Sequence, residues 1–363
     1  MYLKKITINN FKNISEAQII LSPKINCITG INGSGKTNLL DAVYYLSMTK
    51  SFFSSIDHFS IRYNTDSATI NGEYVRENNN GVDIISLSFN INGEKHLKRN
   101  SRSYSRFSDH IGLLPIVMVS PADTSLVNES GDERRKFMNA ILSQIDKEYL
   151  RRLQNYNQLL AQRNRLLKGD VVSDLLLSTL NEQMSVNAEY VYLKRKDFIN
   201  KMVPVIKDYY DMLSGDREEV NVEYKSDLHF CSLDELFLRN LEKDKFLGYT
   251  SSGIHRDDLN FTMDKYPIRR GGSQGQQKSF LIALKLAQFT VMKNIHCASP
   301  ILLLDDLFDK LDMFRVEHLL RLVSSDFFGQ IFITDSNKVR ISNILEEIDG
   351  ESVSFEIEDG RVK

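Results

Sequence analysis

Gly30-Ile31-Asn32-Gly33-Ser34-Gly35-Lys36-Thr37 has the spacing GxxxxGK[ST]. It follows a short apolar run, Ile25 to Thr29, and precedes a helix-forming stretch from Lys36 to Met48. Glycines in such a turn let consecutive backbone N–H groups point inward around phosphate oxygens, and the helix N-terminus adds favourable partial charge. Lys36 would then reach the β- and γ-phosphates of ATP, and Thr37 would hold Mg²⁺. A plain Gly-rich helix cap is the alternative, but strand, loop and helix are all in the order that phosphate binding requires.

A second acidic element ends the apolar run Ile301-Leu302-Leu303-Leu304 with Asp305-Asp306. Four apolar residues closed by two carboxylates describe a buried parallel strand whose carboxyl end faces a ligand crevice. Asp305 is the expected Mg²⁺-side acid, and Asp306 the group that polarises an attacking water. A third element, Ser273-Gln274-Gly275-Gln276, opens another long helical stretch. A chain with one phosphate loop has no need of a second for the same nucleotide. The expectation is that this loop serves the ATP of a second copy, giving a dimer with ATP between the subunits.

The elements around these motifs set the architecture. The first 130 residues read as strand-rich, with alternating or apolar runs at 2–9, 17–21, 25–29, 69–75, 82–91, 95–99 and 115–121. Turns fall at Asn78-Asn79-Asn80-Gly81 and Asn92-Gly93. Residues 133–168 carry a single helical stripe, broken at Lys168-Gly169-Asp170, and 177–213 carry a second, which Pro204 should kink or split. Arg163 and Arg195 interrupt the two stripes, so the seam of the helical hairpin is imperfect. Ser232 to Glu235 has capping-box spacing. The two phosphate-side motifs lie about 270 residues apart. An α/β nucleotide head must therefore be assembled from both chain ends, 1–130 and 246–363, with 131–245 as an inserted helical arm.

Composition limits the classes. The chain has 363 residues, with 46 Lys+Arg against 48 Asp+Glu. From Pro300 to Lys363 the net charge is −7, so the preceding 299 residues carry +5. No stretch of about 18 apolar residues is present and the N-terminus lacks a signal-peptide core, so the expected home is the cytoplasm, with no membrane partner segment. Cys27, Cys231 and Cys297 form no CxxC pair, which disfavours zinc and disulfides. Positive charge is local. Lys95, Lys98, Arg99, Arg102 and Arg106 fall in twelve residues without an acid, interleaved with Tyr104 and Phe107. Arg134, Arg135, Arg151 and Arg152 continue along the arm. These are the candidate contacts to DNA phosphates, with solvated helix faces as the alternative.

The order of glycine loop, helical hairpin, Gly253-Ile254-His255-Arg256-Asp257-Asp258, Ser273-Gln274-Gly275-Gln276 and Leu302 through Asp312 resembles the RecF family, as does the opening Leu3 to Asn13. The likeness implies an ABC-type P-loop ATPase head related to SMC proteins. It implies Walker A at 30–37, Walker B at Asp305 and Asp306, a signature loop at 273–276 and a D-loop including Leu311-Asp312. It further implies an ATP-dependent DNA-binding protein of recombinational repair and replication restart at gaps or single-strand/double-strand junctions, with weak DNA-stimulated ATP hydrolysis, an ATP-dependent homodimer, and RecR and RecO as partners. Competing classes are a transport ATPase subunit and an ATP-independent DNA-binding scaffold. The sequence departs from the usual family pattern at Ile254, Gly272 and Phe53, and no switch glutamine or histidine is evident near Thr334-Asp335-Ser336.

Overall fold

The computed structural model describes all residues except 77–80, 170–172, 216–217, 297, 309–310, 312, 324, 326 and 340–350. The Asn78-Asn79-Asn80 turn, the Asp170 break, Cys297 and Asp312 thus lie outside the described residues. The chain divides into two compact units. One comprises Met1–Asp123, Met212–Gly215 and Gln274–Lys363; the other comprises Thr124–Asp211 and Asp216–Ser273.

In the first unit, five parallel strands form the nucleotide-side sheet. Their order is Ser352–Glu358, Ile25–Thr29, Ile331–Asp335, Ile301–Leu304 and Ile116–Val119, with the antiparallel edge strand Arg361–Val362 beyond Ser352–Glu358. Ile301–Leu304 is buried along its whole length between two parallel neighbours, which is why it reads as an unbroken apolar run. Truncating the wholly buried Leu302 to Ala should cost about 2–5 kcal/mol.

The same unit carries an antiparallel sheet in the order Ile14–Ile20, Tyr2–Phe11, Ser67–Val75, Val82–Asn90, Lys95–Arg99, Arg102–Ser103. Helix Lys36–Met48 touches strands of both sheets and is buried on nearly every face. It is therefore apolar all round and not striped. Among its buried polar residues, Lys36, Asp41 and Ser47, the fully buried Asp41 accepts from Ser51 Oγ (2.6 Å) and the Phe52 N–H (2.7 Å) and pairs with Lys12 (2.7 Å).

The second unit is mainly helical: Gly131–Ile145, Lys147–Leu167 and Asp174–Ser214, with its last residues counted in the first unit, are the long elements. The single helix expected over 133–168 is two helices. Asp146 leaves helical geometry (φ −143°) and its carboxylate caps the second helix by accepting from the Tyr149 N–H at 3.0 Å. Pro204 does not split the following helix, which runs unbroken through it. It lies on the exposed face, where water can satisfy the carbonyl freed one turn earlier.

The long helices pair antiparallel. Asp146 meets Tyr190 and Lys194, Tyr149 meets Arg195, and Arg163 meets Asn181. Arg163 and Arg195 are not flaws in this seam. Arg163 is fully buried, stacked on Phe237 at 4.2 Å, and donates to Asp244 (2.8 Å) and Thr250 (2.7 Å). Arg195 is buried against Asp257.

Sequence places the arm at 131–245, whereas the compact unit reaches Ser273. The cause is strand pairing: Val220–Lys225 forms an antiparallel ladder with Asp258–Met263, so residues beyond 245 fold with the arm. Ser232 caps its short helix by accepting from the Glu235 N–H, as the spacing predicts.

Candidate nucleotide site

The glycine loop leaves strand Ile25–Thr29 and enters helix Lys36–Met48. Two of its glycines are sterically required. A Cβ at Gly30 would lie 2.4 Å from the carbonyl oxygen of Ile357, and Gly35 (φ +119°) would press a Cβ onto Asn13 at 2.8 Å. Ile357 belongs to the C-terminal strand Ser352–Glu358, so the last residues of the chain brace its first motif. Asn13 adds a second brace: its Nδ2 donates to Ser34 O at 2.9 Å, and its Oδ1 accepts from Asn38 at 2.8 Å. Lys36 is buried, its ammonium donating to the carbonyls of Gly30 (2.9 Å) and Ile31 (3.2 Å). Ser34 Oγ is buried without a partner among the described residues. A loop with inward backbone, a curled lysine and an unused hydroxyl fits a polyphosphate.

Asp305 faces this loop. Its carboxylate accepts from Thr37 Oγ1 at 2.9 and 3.1 Å, from Thr334 Oγ1 at 2.9 Å and from Ser120 Oγ at 3.4 Å. Burial pushes its pKa above the usual carboxylate range, and Asp306 beside it adds to the rise; the hydroxyl donors oppose it. Thr37 and Asp305 thus meet as hydroxyl and carboxylate, hard oxygen donors of the kind that Mg²⁺ takes. Asp306 is only half-buried and left-handed (φ +44°), and its N–H donates to Thr334 Oγ1 at 2.9 Å. Asp tolerates this region better than most residues, yet a non-glycine residue held there marks a constrained position.

Helix Gln274–His296 carries Gln274, Gly275 and Gln276 in its first turn, and Ser273 closes the other unit. The side chain of Arg315 lies over Gly275, where a Cβ would come within 2.8 Å of its guanidinium. Further along this helix, buried Lys285 pairs with Asp123 at 2.7 Å and donates to Met118 O at 2.9 Å. Asp123 accepts the N–H of Ser120, the residue whose hydroxyl reaches Asp305. Leu311 is half-buried.

Ser120, Thr334, Asn13 and the Lys285–Asp123 pair escape sequence reasoning. Thr334 carries the one available signal: it is a polar residue that follows the apolar run Ile331-Phe332-Ile333 inside a fully buried strand, Ile331–Asp335.

The nine candidate DNA cations divide sharply. Lys95 is half-buried, paired with Asp57 (2.8 Å) over the Tyr45 ring; Arg99 is tied to Asp83; Arg134 to Asp258; Arg135 to Asp132; Arg151 and Arg152 both to Glu148. Only Lys98, Arg102 and Arg106 are exposed with no carboxylate partner among the described residues. They sit on and just after the strand Lys95–Arg99 and the edge strand Arg102–Ser103.

Comparison with known proteins assigns the family. Residues 2–352 match the model of the RecF/RecN/SMC N-terminal domain. The chain is 46% identical over 361 residues to a DNA replication and repair protein RecF of Bacteroides thetaiotaomicron, covering 99% of this chain and 98% of that protein. The chain belongs to the RecF family. A RecF protein of Flavobacterium johnsoniae is 43% identical over 350 residues, covering 95% of this chain and 97% of the relative. Among solved structures, the RecF-ATP form of the recombination mediator protein RecF in the RecFOR pathway superposes with a TM-score of 0.89 at 27% identity, over 100% of this chain and 97% of that one. An Smc head bound to the C-terminal winged-helix domain of ScpA superposes at 0.61 with 16% identity, over 100% of this chain and 96% of that one, and shares the fold. This RecF-family chain thus has the ABC-type ATPase head of SMC proteins with a helical arm.

Proposed function

We propose that this chain is an ATP-dependent DNA-binding protein of recombinational repair and replication restart at DNA gaps, with ATP hydrolysis as its reset. The observation that carries the nucleotide half is the convergence of the glycine loop, Thr37 and Asp305 on one point, through hydrogen bonds of 2.9–3.1 Å between residues 268 positions apart. Lys36 turns from the carbonyls of Gly30 and Ile31 to the β- and γ-phosphates. Ser34 Oγ supplies a further donor. Thr37 and Asp305 would hold Mg²⁺, which would supply charge neutralisation at the transferring phosphoryl group. Asp306 orients the attacking water and accepts its proton. Thr334 keeps Asp306 in place through its backbone N–H. Preorganised donors of this kind stabilise charge as it develops.

The loop 273–276 is read as the half-site for the nucleotide of a second copy, so that two molecules close on two ATP units. ATP then shifts the monomer–dimer equilibrium by binding the closed form better, and slow, DNA-stimulated hydrolysis reopens it. The DNA contact is assigned to the exposed Lys98, Arg102 and Arg106 edge. Six of the nine candidate cations are already paired with intrachain carboxylates, so each would have to exchange that partner to meet a phosphate, whereas these three need not. The RecFOR context of the similar RecF structure supports RecR and RecO as partners.

The test is Lys36→Ala. It is expected to abolish ATP binding and the ATP-dependence of DNA binding together. ATP-dependent DNA binding undiminished in that variant would refute the reading.

A further inference from the structure

The helical unit holds a cavity of about 200 Å³ that the nucleotide chemistry leaves unused. At roughly 30 Å³ of liquid volume per water this is room for several waters, or for a phosphoryl group. Its floor is Arg195. That guanidinium donates from Nε to Tyr149 Oη (3.1 Å), from Nη1 to Ile254 O (2.7 Å) and Asp257, and from Nη2 to Asn139 Oδ1 (3.0 Å). Asn139 Oδ1 also accepts from Tyr149 Oη at 2.6 Å. Two donors on one oxygen fix which end of the amide is which. Asn139 Nδ2 therefore has no protein partner among the described residues and lines the cavity.

The rest of the lining sets several donors beside the apolar Leu153 and Ile254. Arg135 is anchored by one amino group on the carbonyl of Asp257 (2.7 Å), and its other amino group meets Asp132, whose side chain is 70% exposed. Lys136 pairs with Glu133 on the surface. Asn157 adds a second amide. Tyr156 Oη donates to His255 Nδ1 (2.7 Å), whose Nε2–H donates to Thr250 O (3.1 Å), so these two walls bring no negative charge. The carboxylates nearby are Asp132 and Glu133 at the surface and Asp257, which is already held by Arg195 and Tyr224. Exposed ion pairs within a helix turn are weak and exchangeable, whereas charge-assisted bonds to a phosphate are stronger and can be bidentate from arginine.

We propose that this cavity is a phosphate-binding site, recognised by Asn139 Nδ2, Arg135 and Lys136 above the buried Arg195. The phosphate belongs either to the DNA backbone or to a small phosphorylated molecule; the chemistry at the cavity is the same.

Asn139→Asp is the diagnostic variant. It keeps the volume and the oxygen that accepts from Tyr149 and Arg195, and replaces the unused donor with a negative oxygen facing the cavity. Lys136→Gln, at the surface, is the second variant, chosen because it leaves the interior untouched. In the first arm, the full chain carrying Lys36→Ala is melted in increasing inorganic phosphate against chloride at matched ionic strength. Phosphate should raise the Tm, Asn139→Asp should remove the rise, and Lys136→Gln should shift its midpoint several-fold upward. In the second arm, duplex DNA binding is measured in saturating ATP as a function of salt, with the glycine loop intact. Asn139→Asp should weaken it about tenfold or more and lower the salt slope by about 0.9, the value for one lost phosphate contact. Effects in both arms assign the site to the DNA backbone; an effect in the phosphate arm alone assigns it to a small phosphorylated ligand. Phosphate protection that is absent, or unchanged by both variants, overturns the proposal. The first arm is run without a working glycine loop, so its outcome is independent of the nucleotide reading.

Discussion

Thr334→Val removes one buried oxygen and little else, because the two side chains are nearly the same shape. The hydroxyl has two tasks: it donates to Asp305 Oδ1 and accepts from the Asp306 N–H, both at 2.9 Å. Asp305 keeps Thr37 as a donor, so its loss is partial. The Asp306 N–H is left without that acceptor. An unsatisfied buried group costs about 1–3 kcal/mol. Asp306 sits at φ +44°, a conformation that persists only while its surroundings enforce it. If the same free energy is lost from the positioned carboxylate, turnover falls roughly ten- to hundredfold, since each 1.4 kcal/mol is tenfold in rate. The glycine loop is untouched, so ATP affinity should be unaffected. Losing a donor also raises Asp305 further, and the acid limb of the ATPase pH profile should move to higher pH. Phosphate release is the assay, beside equilibrium binding of a fluorescent ATP analogue. Wild-type turnover with an unshifted pH profile would refute the assigned role of Thr334.

Other outcomes follow from the same geometry. Neutralising Lys98, Arg102 and Arg106 together to Gln should reduce the log–log salt slope of DNA binding by up to about 2.7; an unchanged slope places the DNA track elsewhere. Lys95→Gln should leave that slope alone, since Lys95 is occupied by Asp57, and should instead lower the melting temperature. Removing Arg163, whose guanidinium satisfies the buried Asp244, with Arg163→Met should destabilise by about 3–5 kcal/mol because it strands a buried charge; urea unfolding reads this directly. His255 is pushed down to about 4 by burial, with Arg256 and Arg135 adding to the fall. The unfolded chain takes up that proton near pH 6.5. Stability from this group is therefore full above pH 6.5 and is lost as pH falls towards 4, by at most about 3 kcal/mol. His255→Gln should flatten the unfolding free energy across that window, and an equally steep variant would contradict the neutral, buried histidine.

Several elements were legible because their boundaries are chemical. Ile25–Thr29, Lys36–Met48 and Ile301–Leu304 begin and end where apolar patterning begins and ends. The break at Asp146 was not legible, since a capping carboxylate in a continuing stripe of threes and fours leaves the periodicity intact. Charge was the least legible property. Arg134 and Asp258 are 124 residues apart, and Arg163 and Asp244 are 81 apart. No local pattern says which cations are free. The near-neutral total hid a C-terminal segment of net −7, and the intrachain carboxylates then consumed most of the basic track. At the nucleotide site the motifs announced Lys36, Thr37, Asp305 and Asp306, whereas the residues that hold them, Asn13, Ser120 and Thr334, come from other strands and turns and become visible only once the sheets are formed.

In this mechanism ATP closes two copies of this chain on DNA. Sedimentation velocity of the full chain with ATP–Mg²⁺, with ADP–Mg²⁺ and without nucleotide, each with and without duplex DNA, tests it most directly, with Asp306→Asn included to slow hydrolysis. Monomers are expected without nucleotide and with ADP, dimers that bind DNA with ATP, and the most persistent dimers in Asp306→Asn. A chain that stays monomeric under every nucleotide condition while still binding DNA would contradict it.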